Sequence, residues 1–179
     1  MVAAITDGFR AVAAVMLSAT AATSEPVVVT WAELSEGRPT ECTRFLEGYF
    51  SRPDCATQAA MRQLVTSRFA ACAPGNQELD GRDVTIAGYI HPFEMEFRGV
   101  TTFLLTPRMR QDCRHPPPPL PDQVIFVEFP EGIDINTDPV WVTGTLRAKS
   151  VQNHLAGANY ALEAHKIAPA VIPDVPDDR

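Results

Sequence analysis

The hydrophobic pattern changes period part-way along the chain. Residues 83–90 read DVTIAGYI, with Val84, Ile86 and Ile90 alternating with polar or small residues, the period-2 pattern of a half-buried strand. Residues 92–99 make a turn, and residues 100–106 (VTTFLLT) return as a second strand, giving a hairpin. Three more strand-like runs follow: VIFVEF at 124–129, VWVTGTLRAK at 140–149 and YALEAHKI at 160–167. Five strands joined by loops, with no helical crossover between most of them, predict a small five-stranded antiparallel OB-like barrel over residues 79–168. Gly88 and Gly144, inside strands, fit the sharp bends of barrel corners.

Upstream the pattern is helical. In residues 54–72, Met61, Leu64, Val65, Phe69 and Cys72 recur at helical spacing, and Pro74 with Gly75 follows as a stop. Residues 26–30 (PVVVT) predict a short strand, and Thr30-Trp31-Ala32-Glu33 matches a capping box. Residues 41–50 predict a second short helix. These pieces are too short to make a domain alone, so they predict a helical N-terminal cover over residues 26–78 on a mainly β protein. The last stretch, residues 169–179, carries Pro173, Pro176 and three aspartates with little to bury, and predicts a mobile acidic tail.

Between the second and third strands of the barrel lies QDCRHPPPPLPDQ, residues 111–123. Proline fixes its own φ and pushes the preceding residue out of the helical region, so residues 115–119 predict an extended, polyproline-like course. Residues two apart in an extended chain point the same way, which presents the Cys113 sulfur and the His115 imidazole together. Two functions fit. A rigid run of Pro116, Pro117, Pro118, Pro119 and Pro121 loses little entropy on docking and, with Trp141 as a further partner-binding residue, suits a protein partner. Alternatively, Cys113 and His115, joined by His91 at the end of the first barrel strand and by Met109, offer soft sulfur and nitrogen to copper or zinc. The first reading needs no cofactor. A reactive thiol at Cys113, activated by Arg110, Arg114 and His115, ranks last, because His115 has no orienting partner and there is no Cys-x-x-Cys pair. No phosphate loop or paired-carboxylate signature points to an enzyme.

Composition narrows the choice. With 179 residues and 45% hydrophobic content the chain can build one domain with a core. A net charge of -7 leaves little basic surface for a phosphate backbone, and the trio Arg108, Arg110 and Arg114 is too local to be a nucleic-acid face. No apolar run is long enough to span a bilayer. Arg10, the apolar residues 11–22 (AVAAVMLSATAA) and the small residues Ala19 and Ala21 match a signal peptide over residues 1–22, placing the mature protein in the periplasm or outside the cell. The first cysteine, Cys42, is too far along to accept a lipid at the cleavage point. A continuous helix would set Cys55 and Cys72 about 25 Å apart at 1.5 Å per residue, beyond disulfide reach. An oxidised chain therefore joins Cys42 to one of them, with Cys113 available to the other, and otherwise the four remain buried thiols.

A set of short motifs occurs in order along the chain: Trp31-Ala32-Glu33-Leu34, Leu79-Asp80-Gly81, Gly88 with Pro92, Phe103-Leu104-Leu105, Cys113-Arg114-His115 with its prolines and Gln123, Val140-Trp141-Val142 with Gly144-Thr145-Leu146, and Tyr160-Ala161-Leu162-Glu163-Ala164. Together they resemble an uncharacterised family of exported bacterial proteins, many of them lipoproteins, built on an OB-like domain of unknown function. The resemblance covers roughly residues 79–168 and implies the barrel and export, but no reaction. The expected function is that of an exported, non-enzymatic binding or accessory protein of the bacterial envelope, presenting a rigid proline-rich loop to an envelope protein. Periplasmic copper or zinc handling through Cys113 and His115 is the alternative.

Overall fold

In the computed structural model, residues 25–50, 68, 71–108, 119–153 and 155–171 are described. The predicted signal peptide, most of the predicted helix over residues 54–72 and most of the tail lie outside the described residues. The elements run in the order β1 (Val27–Val28), α1 (Trp31–Leu34), α2 (Thr40–Phe50), β2 (Asp83–Pro92), β3 (Val100–Thr106), β4 (Ile125–Ile133), β5 (Val140–Arg147), β6 (Val151–Gln152), β7 (Gly157–Ala158) and β8 (Tyr160–Pro169).

Strand β2 shows how the sequence makes the barrel. Its residues alternate between half-buried and buried, with Val84, Ile86 and Ile90 turned inward. It has more than one partner: Asp83 to Gly88 pair with β5, and Tyr89 to Pro92 pair with β3. The change of partner falls at Gly88, where a Cβ would stand 2.8 Å from both the Leu105 side chain and the Thr106 carbonyl. Gly144 marks the matching corner on β5, where the register with β8 shifts and a Cβ would lie 2.3 Å from the Glu163 carbonyl oxygen. Both glycines sit where another backbone comes too close for a side chain.

The ring closes in the order β2-β3-β4-β8-β5 and back to β2. The expected all-antiparallel arrangement is corrected: β4 and β8 pair in parallel, and the barrel is mixed. Topology requires this. In a closed ring with an odd number of strands, directions cannot alternate all the way round, so at least one neighbouring pair must be parallel. The sixth strand of the sheet, β1, lies outside the ring, parallel to β2 at Val84 and Thr85. Just beyond it the Trp31 indole donates to the Ala87 carbonyl at 2.7 Å, occupying more of the same β2 edge.

Within the ring, Val84, Ile86, Phe103, Leu105, Ile125, Val127, Val142, Leu146, Tyr160 and Leu162 belong to one buried cluster, which Leu34 of α1 also joins. Each fully buried aliphatic or aromatic side chain contributes about 1.5–3 kcal/mol relative to exposure. α1 is set by its capping box: Glu33 N–H donates to Thr30 Oγ1 at 3.3 Å, and Thr30 N–H donates to the Glu33 carboxylate at 2.6 Å. Those donors, the Thr30 hydroxyl foremost, hold the Glu33 carboxyl below its ordinary pKa. α2 carries Cys42, which is joined by a disulfide to Cys72 with a Cα separation of 5.2 Å. Of the two pairings open to Cys42, the fold takes this one.

Candidate functional site

Leu105 of β3 pairs directly with Ile125 of β4, so the chain leaves one strand at Thr106 and re-enters its neighbour after Val124. Antiparallel neighbours can be joined by a turn of about 2–5 residues. Here the connection is far longer and contains the proline stretch. Met109, Cys113, His115, Pro116, Pro117 and Pro118 lie outside the described residues. The two ends of the connection are described, and buried polar groups hold both.

At the first end, the Thr106 hydroxyl donates to the Pro107 carbonyl at 3.1 Å and lies 2.9 Å from His91 Nε2. A hydroxyl has one proton, and with that proton directed at Pro107 its oxygen accepts from His91 Nε2–H. His91 Nδ1 then carries a lone pair. Burial lowers the His91 pKa below its ordinary value, so the ring is neutral at pH 7. His91 is the one predicted metal ligand among the described residues, and it stands beside the start of the proline connection. Among the described residues no three histidine, cysteine, aspartate or glutamate side chains gather in a way that holds a metal ion.

At the second end, Leu120 is buried against Leu46 of α2 and Ala73. Pro119 is half-buried, and Pro121 opens a 3-10 turn, Pro121–Gln123, where its missing N–H goes unneeded. Asp122 is fully buried and forms a two-pronged ion pair with Arg38: Nη2 donates to Oδ1 at 2.7 Å, and Nε donates to Oδ2. Such a fork satisfies both carboxylate oxygens at once. The Pro121 carbonyl accepts from Asn159 N–H at 2.8 Å, and the Asn159 side chain donates to the Ala73 carbonyl. Tyr160 completes the network, donating its hydroxyl to the Leu34 carbonyl at 2.7 Å and accepting from Asn76 N–H. Burial, with a smaller push from the Asp122 charge and against the pull of the Asn76 N–H, raises the Tyr160 pKa to about 12, so the hydroxyl remains a donor.

A third apolar cluster covers the outer side of the barrel. Leu104, Val124 and Ala158 are buried, with Phe93, Phe126, Val151 and Ala156 packed on them. The Phe93 and Phe126 rings are tilted, with centroids 5.6 Å apart. This cluster joins the β2–β3 turn, the end of the proline connection and the small β6–β7 hairpin. Trp141, predicted with the prolines as a partner-binding residue, is half-buried on β5, with Ala87 and Ala168 as its ladder partners.

Sequence reasoning missed Arg38, Asn76, Asp122, Asn159 and Tyr160 as a set. Arg38 and Asp122 are 84 positions apart, as are Asn76 and Tyr160, and no local pattern pairs them. Asp122 beside prolines has the composition of any turn. The one available signal was Tyr160 at the head of an apolar strand, since a buried tyrosine needs a partner for its hydroxyl.

The fold and these contacts define a class: a mixed OB-like barrel with a helical layer fastened to one over-long connection. The chain belongs to the family described as protein of unknown function DUF3299, whose sequence profile matches residues 32–169. The match begins in α1, so the helical layer and the barrel fall within one family unit. The chain is also similar to a DUF3299 family protein of known crystal structure from Pseudomonas aeruginosa PAO1, with 28% identity and a TM-score of 0.62, covering 83% of this chain and 99% of that one. No curated protein matches the sequence.

Proposed function

We propose that this protein is an exported, non-enzymatic binding component of the bacterial envelope, and that the connection between β3 and β4 is the segment it presents to a protein partner. The observation that carries this reading is the disproportion between the connection and the gap it closes. A short turn would join Thr106 to Val124, yet the chain inserts the run Pro116 to Pro119 and holds both ends with buried groups. A connection this long between neighbouring antiparallel strands is uncommon, and such insertions often carry function. Proline fixes its own φ, so a run of prolines has little entropy to lose on docking. The disulfide Cys42–Cys72 supports export, because such bonds persist in oxidising compartments. Among the described residues no helix is long and apolar enough to cross a membrane.

Replacing Pro116, Pro117, Pro118 and Pro119 by serine tests this reading. The variant leaves the His91–Thr106 contact, the Leu120–Gln123 segment and the barrel unaltered in sequence. Recovery of a discrete envelope protein with the wild type, lost with the variant at unchanged thermal stability, is the expected outcome. Equal recovery with both would refute the reading.

His91 favours a second reading, copper or zinc handling with Cys113, His115 and Met109. Its neutral ring, with Nδ1 unused in the Thr106 bond, lies next to the connection that carries those residues. Elemental analysis after metal loading and desalting, beside Cys113→Ser and His91→Ala variants, decides it. Near-stoichiometric metal lost in both variants would establish metal handling, and no retained metal in the wild type would exclude it.

A further inference from the structure

We infer that the Cys42–Cys72 disulfide is a redox latch: its reduction by a dithiol releases α2 from the Leu120–Asp122 turn while the barrel remains folded. The inference concerns α2 and stands whatever the proline run binds.

Two observations separate α2 from the barrel. Among its described side chains Cys42 and Leu46 are buried, and Leu46 belongs with Ala73 and Leu120 to a small cluster, on which Phe45 packs, apart from the large cluster that fills the ring. The ring itself is closed by strand ladders in which neither cysteine takes part. An isolated helix as short as α2 is marginal in water, and Gly48 in its interior weakens it further. Among the described residues, Leu46 and the half-buried Phe45, with the Arg68 guanidinium over its ring, pack α2 on this small cluster. The disulfide adds a covalent hold, fixing α2 to the residue next to Ala73 across a sequence separation of 30.

The same layer supports the second end of the proline connection. Leu46 and Ala73 bury Leu120, Arg38 just before α2 pairs with Asp122, and Ala73 and Pro121 share Asn159 as a donor. Release of α2 therefore uncovers Leu120 and loosens the turn that follows it. The chemistry balances as thiol–disulfide exchange. One thiolate of the dithiol attacks a sulfur of the bond and forms a mixed disulfide; its second thiol resolves that intermediate. The protein gains two electrons and two protons as the Cys42 and Cys72 thiols, and the dithiol leaves as a disulfide. Both cysteines are buried, so exchange follows a transient opening of α2, and reduction then keeps the open state populated.

Hydrogen exchange on the full chain tests this in three states: oxidised, reduced with dithiothreitol, and as the double variant Cys42→Ala, Cys72→Ala, which retains Cys55 and Cys113. The expected result is that amides of α2, and of Asn159 on the Pro121 carbonyl, exchange on the order of 100-fold faster in the reduced and variant proteins. Amides of β2, β3 and β5 keep their protection and show that the variant has folded. Unchanged α2 protection on reduction would overturn the inference. Loss of barrel protection together with α2 would also overturn it, because α2 would then be no separate unit.

Discussion

Asp122 has no exposed surface, and Arg38 is the cation that meets both of its oxygens. A buried carboxylate stripped of its partner is strongly destabilising, by about 3–5 kcal/mol. Arg38→Met should therefore lower the free energy of unfolding by about that amount in urea titration; a change within about 0.5 kcal/mol would mean that water already reaches Asp122. None of this was legible in the sequence, because the pair is separated by 84 positions and each residue taken alone fits a solvated turn. His91 was legible as a candidate, from its place at the end of an alternating strand, but its tautomer follows only from the Thr106–Pro107 contact. Its folded pKa is depressed, so the unfolded chain takes up the proton first as pH falls. The neutral ring's contribution to stability is present above about pH 6.5 and is lost as pH falls toward the folded pKa. Titration of the ring by NMR should give a value below 6.5, and a value at or above 6.5 would contradict the burial argument.

At the scale of elements, period-2 alternation located β2, and apolar strand-like runs located the other four strands of the ring. β3 has the predicted bounds, while β4 and β8 extend past theirs, because Ile133 and Pro169 find ladder partners in Val100 and Val140 that no local pattern announces. β6 and β7, with two residues each, are too short to show a period. At least one parallel pair was implicit in five strands closing a ring, a constraint of topology and not of composition; the fold places it at β4 and β8. Gly144 and Gly48 make a paired test of the local arguments. Gly144→Ala drives a Cβ into the β8 backbone at Glu163 and Ala164 and should destabilise by at least about 1–3 kcal/mol. Gly48→Ala meets nothing within 4 Å on α2 and should stabilise by about 0.5–1 kcal/mol. Thermal melts of both variants check this; a harmless Gly144→Ala would mean that the β5–β8 corner is looser than its geometry.

For the whole molecule, the family match from residue 32 to residue 169 joins the helical layer to the barrel, where the sequence pattern alone divided them at residue 78. The physical link is the disulfide together with the Arg38–Asp122 and Tyr160 contacts, all between residues far apart in sequence. They converge on the second end of one connection, and His91 and Thr106 hold the first. The central claim is that this connection is the binding segment. Its most direct test is a photo-crosslinking scan in the native host, with the probe placed in turn at Gln111, His115, Pro117 and Pro119, and at Thr101 on the barrel as a control. The account predicts adducts to one envelope protein concentrated at His115, Pro117 and Pro119. Equal yields at Thr101, or no adducts along the connection, would contradict it.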